Sequence, residues 1–146
     1  MEFAVRRATA DDARQIAALS GELGYPADAK SVEAMLHGLL QRQDQLVLVA
    51  EAPGGTVSGW IQAHGSPVIE SGFRVEITGL VVSAQARRRG VGRALVAEAE
   101  AWASRISAAY VVVRSNVKRA ESHLFYPSLG YARTKTQAVY RKDLGA

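Results

Sequence analysis

The chain contains no cysteine. Disulfide frameworks, thiolate metal sites and cysteine nucleophiles are therefore excluded, and a cytoplasmic location is the expectation that follows. The opening residues, Met1-Glu2-Phe3-Ala4-Val5-Arg6-Arg7, lack the apolar core of a signal peptide. No apolar run approaches the roughly eighteen residues a membrane span requires, so no membrane partner is expected. Basic residues gather at 87–93 and 114–119 instead of forming a stripe with interleaved aromatics. That argues for an anion pocket and against a nucleic-acid surface. His64, His123 and Glu76 show no metal-ligand spacing, so no metal site is expected. Linkers, internal repeats and low-complexity segments are absent as well.

What is present is ordinary for a globular protein: 146 residues, 48% hydrophobic and 22% charged. A single domain over 1–146 is expected, long enough to bury a real core. The net charge of +4 and pI near 9.7 favour anionic ligands.

Periodicity divides the chain into alternating elements. Residues 3–8 read as a strand, and Thr9 as the N-cap of a helix with Asp11 and Asp12 in its first turn. Ala13, Ile16, Ala17 and Ser20 or Leu23 form that helix's apolar spacing, which stops near Gly24 and Pro26. A second helix starts at Asp28 or Ser31 with Val32, Met35, Leu36 and Leu39 as its stripe; His37 falls off it and reads as solvated. Residues 46–50 are a buried strand, Pro53-Gly54-Gly55 a hairpin, and 56–63 the returning strand, with Gly59 marking a bend. Residues 64–73 read as a loop. A fourth strand covers 74–82, where Gly79 signals a bulge or a close backbone approach. Val91, Leu95, Ala99, Trp102 and Ile106 define an amphipathic helix. A strand at 109–113, a helix at 118–129 closed by Pro127 and Gly130, and strands at 131–132 and 137–141 complete the order. The expected class is α/β of the α+β type: a single mixed, mostly antiparallel sheet of about six to seven strands covered by about four helices.

One stretch organises the rest. After the fourth strand comes Arg87-x-x-Gly90-x-Gly92, opening an alanine-rich helix. Backbone N–H groups of such a turn, at the positive end of a helix, suit a pyrophosphate. Arg87, Arg88, Arg89 and Arg93 add positive potential there. Leu95 stands where a dinucleotide fingerprint needs its third glycine, and no Walker-type Gly-Lys-Ser/Thr exists. Taken alone, the turn also reads as a plain strand-to-helix junction with solvated arginines.

The element order, this loop and the late Phe125-Tyr126-x-x-x-Gly130-Tyr131 together resemble the GNAT superfamily of N-acetyltransferases over nearly the whole chain. The resemblance implies acetyl-CoA as cosubstrate and a sheet splayed open at strand four, with a bulge at Gly79 assisting. It implies that Arg87, Arg88, Arg89, Gly90, Val91, Gly92, Arg93 and Ala94 form the pyrophosphate cradle, the amides of Arg88, Gly90, Gly92 and Arg93 donating. It also implies that Leu80, Val81 and Val82 lie along the pantetheine arm, with Asn116, His123 and Phe125 as further cofactor contacts. For Asn116 a turn-capping role, and for His123 a solvated one, stand beside these. Two runs, Glu76-Ile77-x-x-Leu80-Val81-Val82-x-x-Gln85-Ala86-Arg87 and Ser115-Asn116-Val117-Lys118-Arg119-x-x-x-His123-x-Phe125-Tyr126, are similar to aminoalkylphosphonate N-acetyltransferases.

The implied chemistry selects candidates. An alkylammonium of pKa near 10.4 must lose a proton before attacking a thioester, a cost of about 4.6 kcal/mol at pH 7. Glu76, directly or through water, is the candidate base; the alternative is a sheet-face glutamate paired with Arg74. Tyr126 is the candidate acid for the leaving thiolate, against simple aromatic packing. The Val82 N–H is the candidate for the developing oxyanion. Arg74, Arg114, Lys118 and Arg119 suit an acidic acceptor. The expected activity is acetyl transfer to a primary amine of a small molecule. The alternatives are a protein or peptide N-acetyltransferase, or a non-catalytic acyl-CoA-binding module. A homodimer is compatible with the small size, without an interface signature.

Overall fold

The computed structural model describes residues 2–22, 24, 26–114 and 120–145, with only the backbone of 120–123. The chain divides into two compact units, Met1–Arg114 and Ser115–Ala146.

In the first unit, β1 (Ala4–Arg7), β2 (Gln45–Glu51), β3 (Val57–Val68), β4 (Gly72–Val82) and β5 (Val111–Val113) form one sheet in sequential order. The first four pair antiparallel; β5 joins β4 in parallel, reached through the crossover helix α3 (Val91–Arg105). Two more helices, α1 (Ala13–Glu22) and α2 (Ala29–Leu39), lie between β1 and β2 in sequence. The sheet is mixed, as expected, but has five strands among the described residues instead of six to seven.

Alternation along the strands assigns each face a helical cover. Leu48, Ile61 and Leu80 share one face across the ladder; Val49, Trp60 and Val81 share the other. The second face closes over Ile16 and Leu19 of α1 and Leu36 of α2. The first receives α3, whose Val91, Leu95, Val96, Ala99, Trp102 and Ala103 are buried. Gly59 makes that approach possible: a Cβ there would stand 3.0 Å from Val91 Cγ1 and 3.3 Å from Leu95 Cδ1. Its role is room for a helix. Burial of a side chain such as Leu95 contributes about 1.5–3 kcal/mol. On α2, Met35 departs from the expected stripe and is exposed.

The start of the first helical segment is braced from β1. A short 3-10 turn, Ala10–Asp12, precedes α1. The buried Asp12 carboxylate accepts from Arg6 Nη1 at 2.9 Å, Arg6 Nη2 at 2.8 Å and the Thr9 N–H at 2.7 Å. The Arg6 guanidinium, which also reaches Glu51 at 3.1 Å, holds the Asp12 carboxyl below the usual range.

The stretch expected as a loop at 64–73 is mostly ladder. Gly65 pairs with Val75, Ser66 with Arg74 and Pro67 with Phe73, leaving a turn at 69–71. Glycine and proline there signalled a turn locally, yet continued cross-strand pairing overrides local propensity. At Gly65 the missing side chain admits the Phe73 ring, whose Cζ would lie 2.9 Å from a Cβ. The bulge of β4 also moves. Gln62 pairs with Gly79 and Ala63 with Ile77, so Thr78 is the extra residue. Gly79 instead admits Trp60: a Cβ would sit 2.8 Å from its Cη2 and Cζ3.

In the second unit, α4 (Ala120–Ser128) carries Pro127 in its last turn and is closed by Gly130 at φ 94°. The N–H groups of Leu129 and Tyr131 both return to the Tyr126 carbonyl, at 3.0 and 3.1 Å. The strands expected at 131–132 and 137–141 do not form; residues 131–145 carry neither helix nor strand. Val139 and Tyr140 are exposed, so their alternation meets no buried face to turn toward.

Candidate functional site

The site is built around β4. Strand β5 pairs only with Val75, Glu76 and Ile77, so beyond the Thr78 bulge β4 has no strand partner on that side among the described residues. The Ser83 N–H donates to the Ser58 carbonyl at 2.8 Å. That bond makes Val82–Gly59 a non-hydrogen-bonded pair, and by alternation Leu80–Ile61 is another. The N–H and C=O of Leu80 and Val82 therefore point away from β3, toward the side that β5 leaves free. Val81 differs. Its backbone faces Trp60, and its side chain is buried in the core.

The chain then passes through a 3-10 turn, Ala84–Ala86, and residues 87–90 before α3 begins. Glu22, at the end of α1, accepts from the Ala84 N–H at 3.1 Å and fastens this turn to α1. Nothing in the sequence announced that contact, which joins residues 62 apart. Arg88 adopts φ 65°, a left-handed conformation that costs a side-chain-bearing residue about 1–2 kcal/mol. Gly90, the N-cap, sits at φ 83°, where glycine carries no such penalty. The first helical bond of α3 is Ala94 N–H to Gly90 C=O at 2.9 Å. The amides of Val91, Gly92 and Arg93 precede it and have no intrahelical acceptor, whereas that of Ala94 is used. Arg87, Arg88, Arg89 and Arg93 are all exposed around this helix start. A fifteen-residue helix directs its positive end here, so the turn can receive a polyanion.

On the α1–α2 face of β4, before the bulge, lies a charged cluster. The Glu76 side chain is 14% exposed; it accepts from Arg114 Nη1 at 2.5 Å and lies 3.7 Å from Arg74 Nη2. Directly opposite Glu76 on β3 is His64. Reading 64–66 as strand would have disclosed that pairing, since His64 and Ser66 alternate in phase with Trp60 and Gln62.

Of the remaining candidates, Phe125 and Tyr126 belong to the second unit. Their rings meet edge to face at 5.0 Å, and Tyr126 meets Tyr131 at 5.9 Å in the same manner. Two edge-to-face contacts hold the plane of the phenol ring. Asn116, Lys118 and Arg119 lie outside the described residues, and so does the side chain of His123.

Comparison with known proteins establishes the family and the fold. The profile of the acetyltransferase (GNAT) family matches residues 11–131. An aminoglycoside N(6')-acetyltransferase type 1 of Serratia marcescens is 28% identical over 69 residues, 47% of this chain and 47% of that protein. The match thus spans about half the length of that relative. Among solved structures, the aminoglycoside N-acetyltransferase AAC(6')-Iy in complex with CoA is 21% identical, with a TM-score of 0.86 over 97% of this chain and 95% of its own. A protein described as a transcriptional regulator from Bacillus halodurans is 19% identical, with a TM-score of 0.87 over 97% of this chain and 100% of its own. At such identities the two structures establish the fold. Family profile, fold and the β4–α3 junction converge: the chain belongs to the GNAT family of acetyltransferases, enzymes that use acetyl-CoA.

Proposed function

We propose that the protein, as one domain over residues 1–146, transfers the acetyl group of acetyl-CoA to a primary amine of a small molecule. The amine attacks the thioester directly, with both substrates bound. The amides of Gly92 and Arg93, with Gly90 turning the chain, hold the pyrophosphate, and Arg87, Arg88 and Arg89 supply positive potential around it. Leu80, through its outward N–H and C=O, and Val82, through its C=O, pair with the pantetheine amides. The Val82 N–H stabilises the developing oxyanion, while Val81 serves as core beneath them. Phe125, Asn116 and His123 complete the cofactor's surroundings.

Glu76, directly or through a water held in the gap beside Arg74, takes the ammonium proton. Tyr126 returns a proton to the thiolate that leaves. The observation that carries this reading is the conjunction on one strand: a carboxylate, then a bulge, then an edge without a strand partner among the described residues, running into a glycine-led helix start. The non-catalytic alternative has no feature that favours it.

The deciding experiment follows thiol release from acetyl-CoA over aminoalkylphosphonates, amino acids, polyamines, aminoglycosides and a lysine peptide. Small amines are expected to turn over and the peptide to be the poorest acceptor. Tyr126→Phe is expected to lower kcat about tenfold to a thousandfold, the scale of general acid–base catalysis. Undiminished kcat in that variant removes Tyr126 from the mechanism.

A further inference from the structure

Two buried nitrogen donors lack a hydrogen-bond partner among the described residues, Arg74 Nε and Trp60 Nε1. Both belong to the α1–α2 face of the sheet. Ser66 faces Arg74, His64 faces Glu76, Gln62 faces Gly79 and Trp60 faces Val81 in successive rows. Unfilled polar capacity is thus concentrated on one face of β3 and β4, beside the point where β4 and β5 part.

Arg74 is the more informative of the two. Its side chain is 14% exposed, and its nearest acidic partner, Glu76 Oε1, is 3.7 Å away, beyond hydrogen-bond length. The other Glu76 oxygen is already engaged by Arg114 at 2.5 Å. Two guanidiniums therefore share one carboxylate, leaving one positive charge in excess. Among the described residues, the other charged groups next to this cluster do not cancel it. His64 adds no negative charge, and Asp44, next to the residue opposite His64 on β2, is held by Arg42 at 2.8 Å. A half-buried guanidinium with an unpaired N–H carries a desolvation penalty that no bond returns.

We propose that Arg74, assisted by Arg114, determines acceptor specificity: the acceptor is an amine that also bears an oxyanion, a carboxylate or a phosphonate. This rests on the acetyl-transfer reading above and names the substrate class of that same site. The planar fork of a guanidinium pairs with such a group through two parallel N–H donors. On binding, the Arg74 fork turns from its loose approach to Glu76 onto the oxyanion. A polycation would instead add charge to an already positive cluster, which selects against it.

The test uses acetyl-CoA and four acceptors of matched chain length: an ω-amino carboxylate, an aminoalkylphosphonate, a neutral alkylamine and a diamine. The kcat/KM of the better anionic acceptor is expected to exceed that of the neutral amine about ten- to a hundredfold, the scale of charge-assisted hydrogen bonds. The ratio between the two anionic arms identifies the oxyanion. Arg74→Gln is expected to bring the anionic-to-neutral ratio close to one, and Arg74→Lys to restore part of it as a point charge. A neutral amine or diamine equal to the anionic acceptors overturns the proposal while leaving acetyl transfer intact. If the glutamine variant does not fold, the wild-type ratio still decides. If no acceptor releases thiol, the acetyl-transfer reading fails first. Calorimetric titration of the aminoalkylphosphonate into the wild-type enzyme with CoA then decides the anion site: saturable binding weakened by Arg74→Lys supports it, and no binding overturns it.

Discussion

Before Thr78, β4 is paired on both sides, to β3 and to β5, and its residues on the α1–α2 face are Arg74 and Glu76. After Thr78 it keeps only β3 among the described residues, its side chains are apolar, and the backbone groups of Leu80 and Val82 face outward. A single inserted residue separates the halves. In the proposed function the first half would recognise by side-chain charge and so be specified residue by residue. The second would recognise through amides and the helix start that follows, where many side chains would serve around Gly90 and Gly92. On that proposal acceptor choice could diverge while the cosubstrate grip persists, because the two tasks would use different parts of the same strand.

The sharpest way to break that contrast is to place charge where the second half relies on backbone. Gly92 is the second residue of α3, where a carboxylate favours the helix through its dipole. Gly92→Asp is thus expected to leave Tm unchanged or slightly raised while KM for acetyl-CoA rises about a hundredfold, near 2.7 kcal/mol of lost binding. A KM that stays put would place the pyrophosphate elsewhere. A parallel loss of Tm would mean that the variant damages the fold and not the grip.

A smaller effect is expected at the hinge between the halves. A Cβ on Gly79 would lie 2.8 Å from two atoms of the Trp60 ring, too close without displacement. Gly79→Ala is expected to cost about 2 kcal/mol, the scale of overpacking, read as a fall in Tm. Adding Trp60→Leu to that variant should recover much of the loss, since contacting residues couple. Strict additivity of the two substitutions would show that the indole does not set the limit at this position.

The sequence reveals much of the second half and less of the first. Arg87-x-x-Gly90-x-Gly92 is local: strand, turn and helix start lie within about fifteen residues, and the amides that matter belong to the motif itself. The α3 stripe, the Gly54-Gly55 hairpin and the Thr9 start were legible for the same reason. The Arg74–Glu76–Arg114–His64 cluster depends on register between β3, β4 and β5, which no local pattern supplies. Gly65 and Pro67 disguised the end of β3 as a loop and so hid His64 opposite Glu76. Thr78 and Gly79 show the same limit. A glycine marks where something comes close, but only the ladder tells whether that is an inserted residue or an indole ring. The strands expected at 137–141 failed in the opposite way, since alternation supplies a pleat without supplying a neighbour.

The smallest expected effect lies outside β4 and tests whether the contrast between its halves is specific. Asp12 is buried against the Arg6 guanidinium, which also keeps Glu51 at 3.1 Å. Because Arg6 holds the Asp12 carboxyl below the usual range, the carboxylate stabilises the fold above its unfolded pKa of about 3.9. That contribution is lost as pH falls through the lower folded value. Asp12→Asn is expected to cost about 1 kcal/mol at pH 7, since Arg6 retains Glu51 and the amide oxygen can still accept from Thr9. The Tm difference between wild type and variant should narrow as pH falls below about 4, where Asp12 of the unfolded wild-type chain begins to protonate while the folded carboxylate is still ionised. Neither KM should move, because this ion pair braces the first helical turn and touches neither half of β4. A change in acetyl-CoA KM here would mean that the grip of the second half depends on packing well beyond its own backbone.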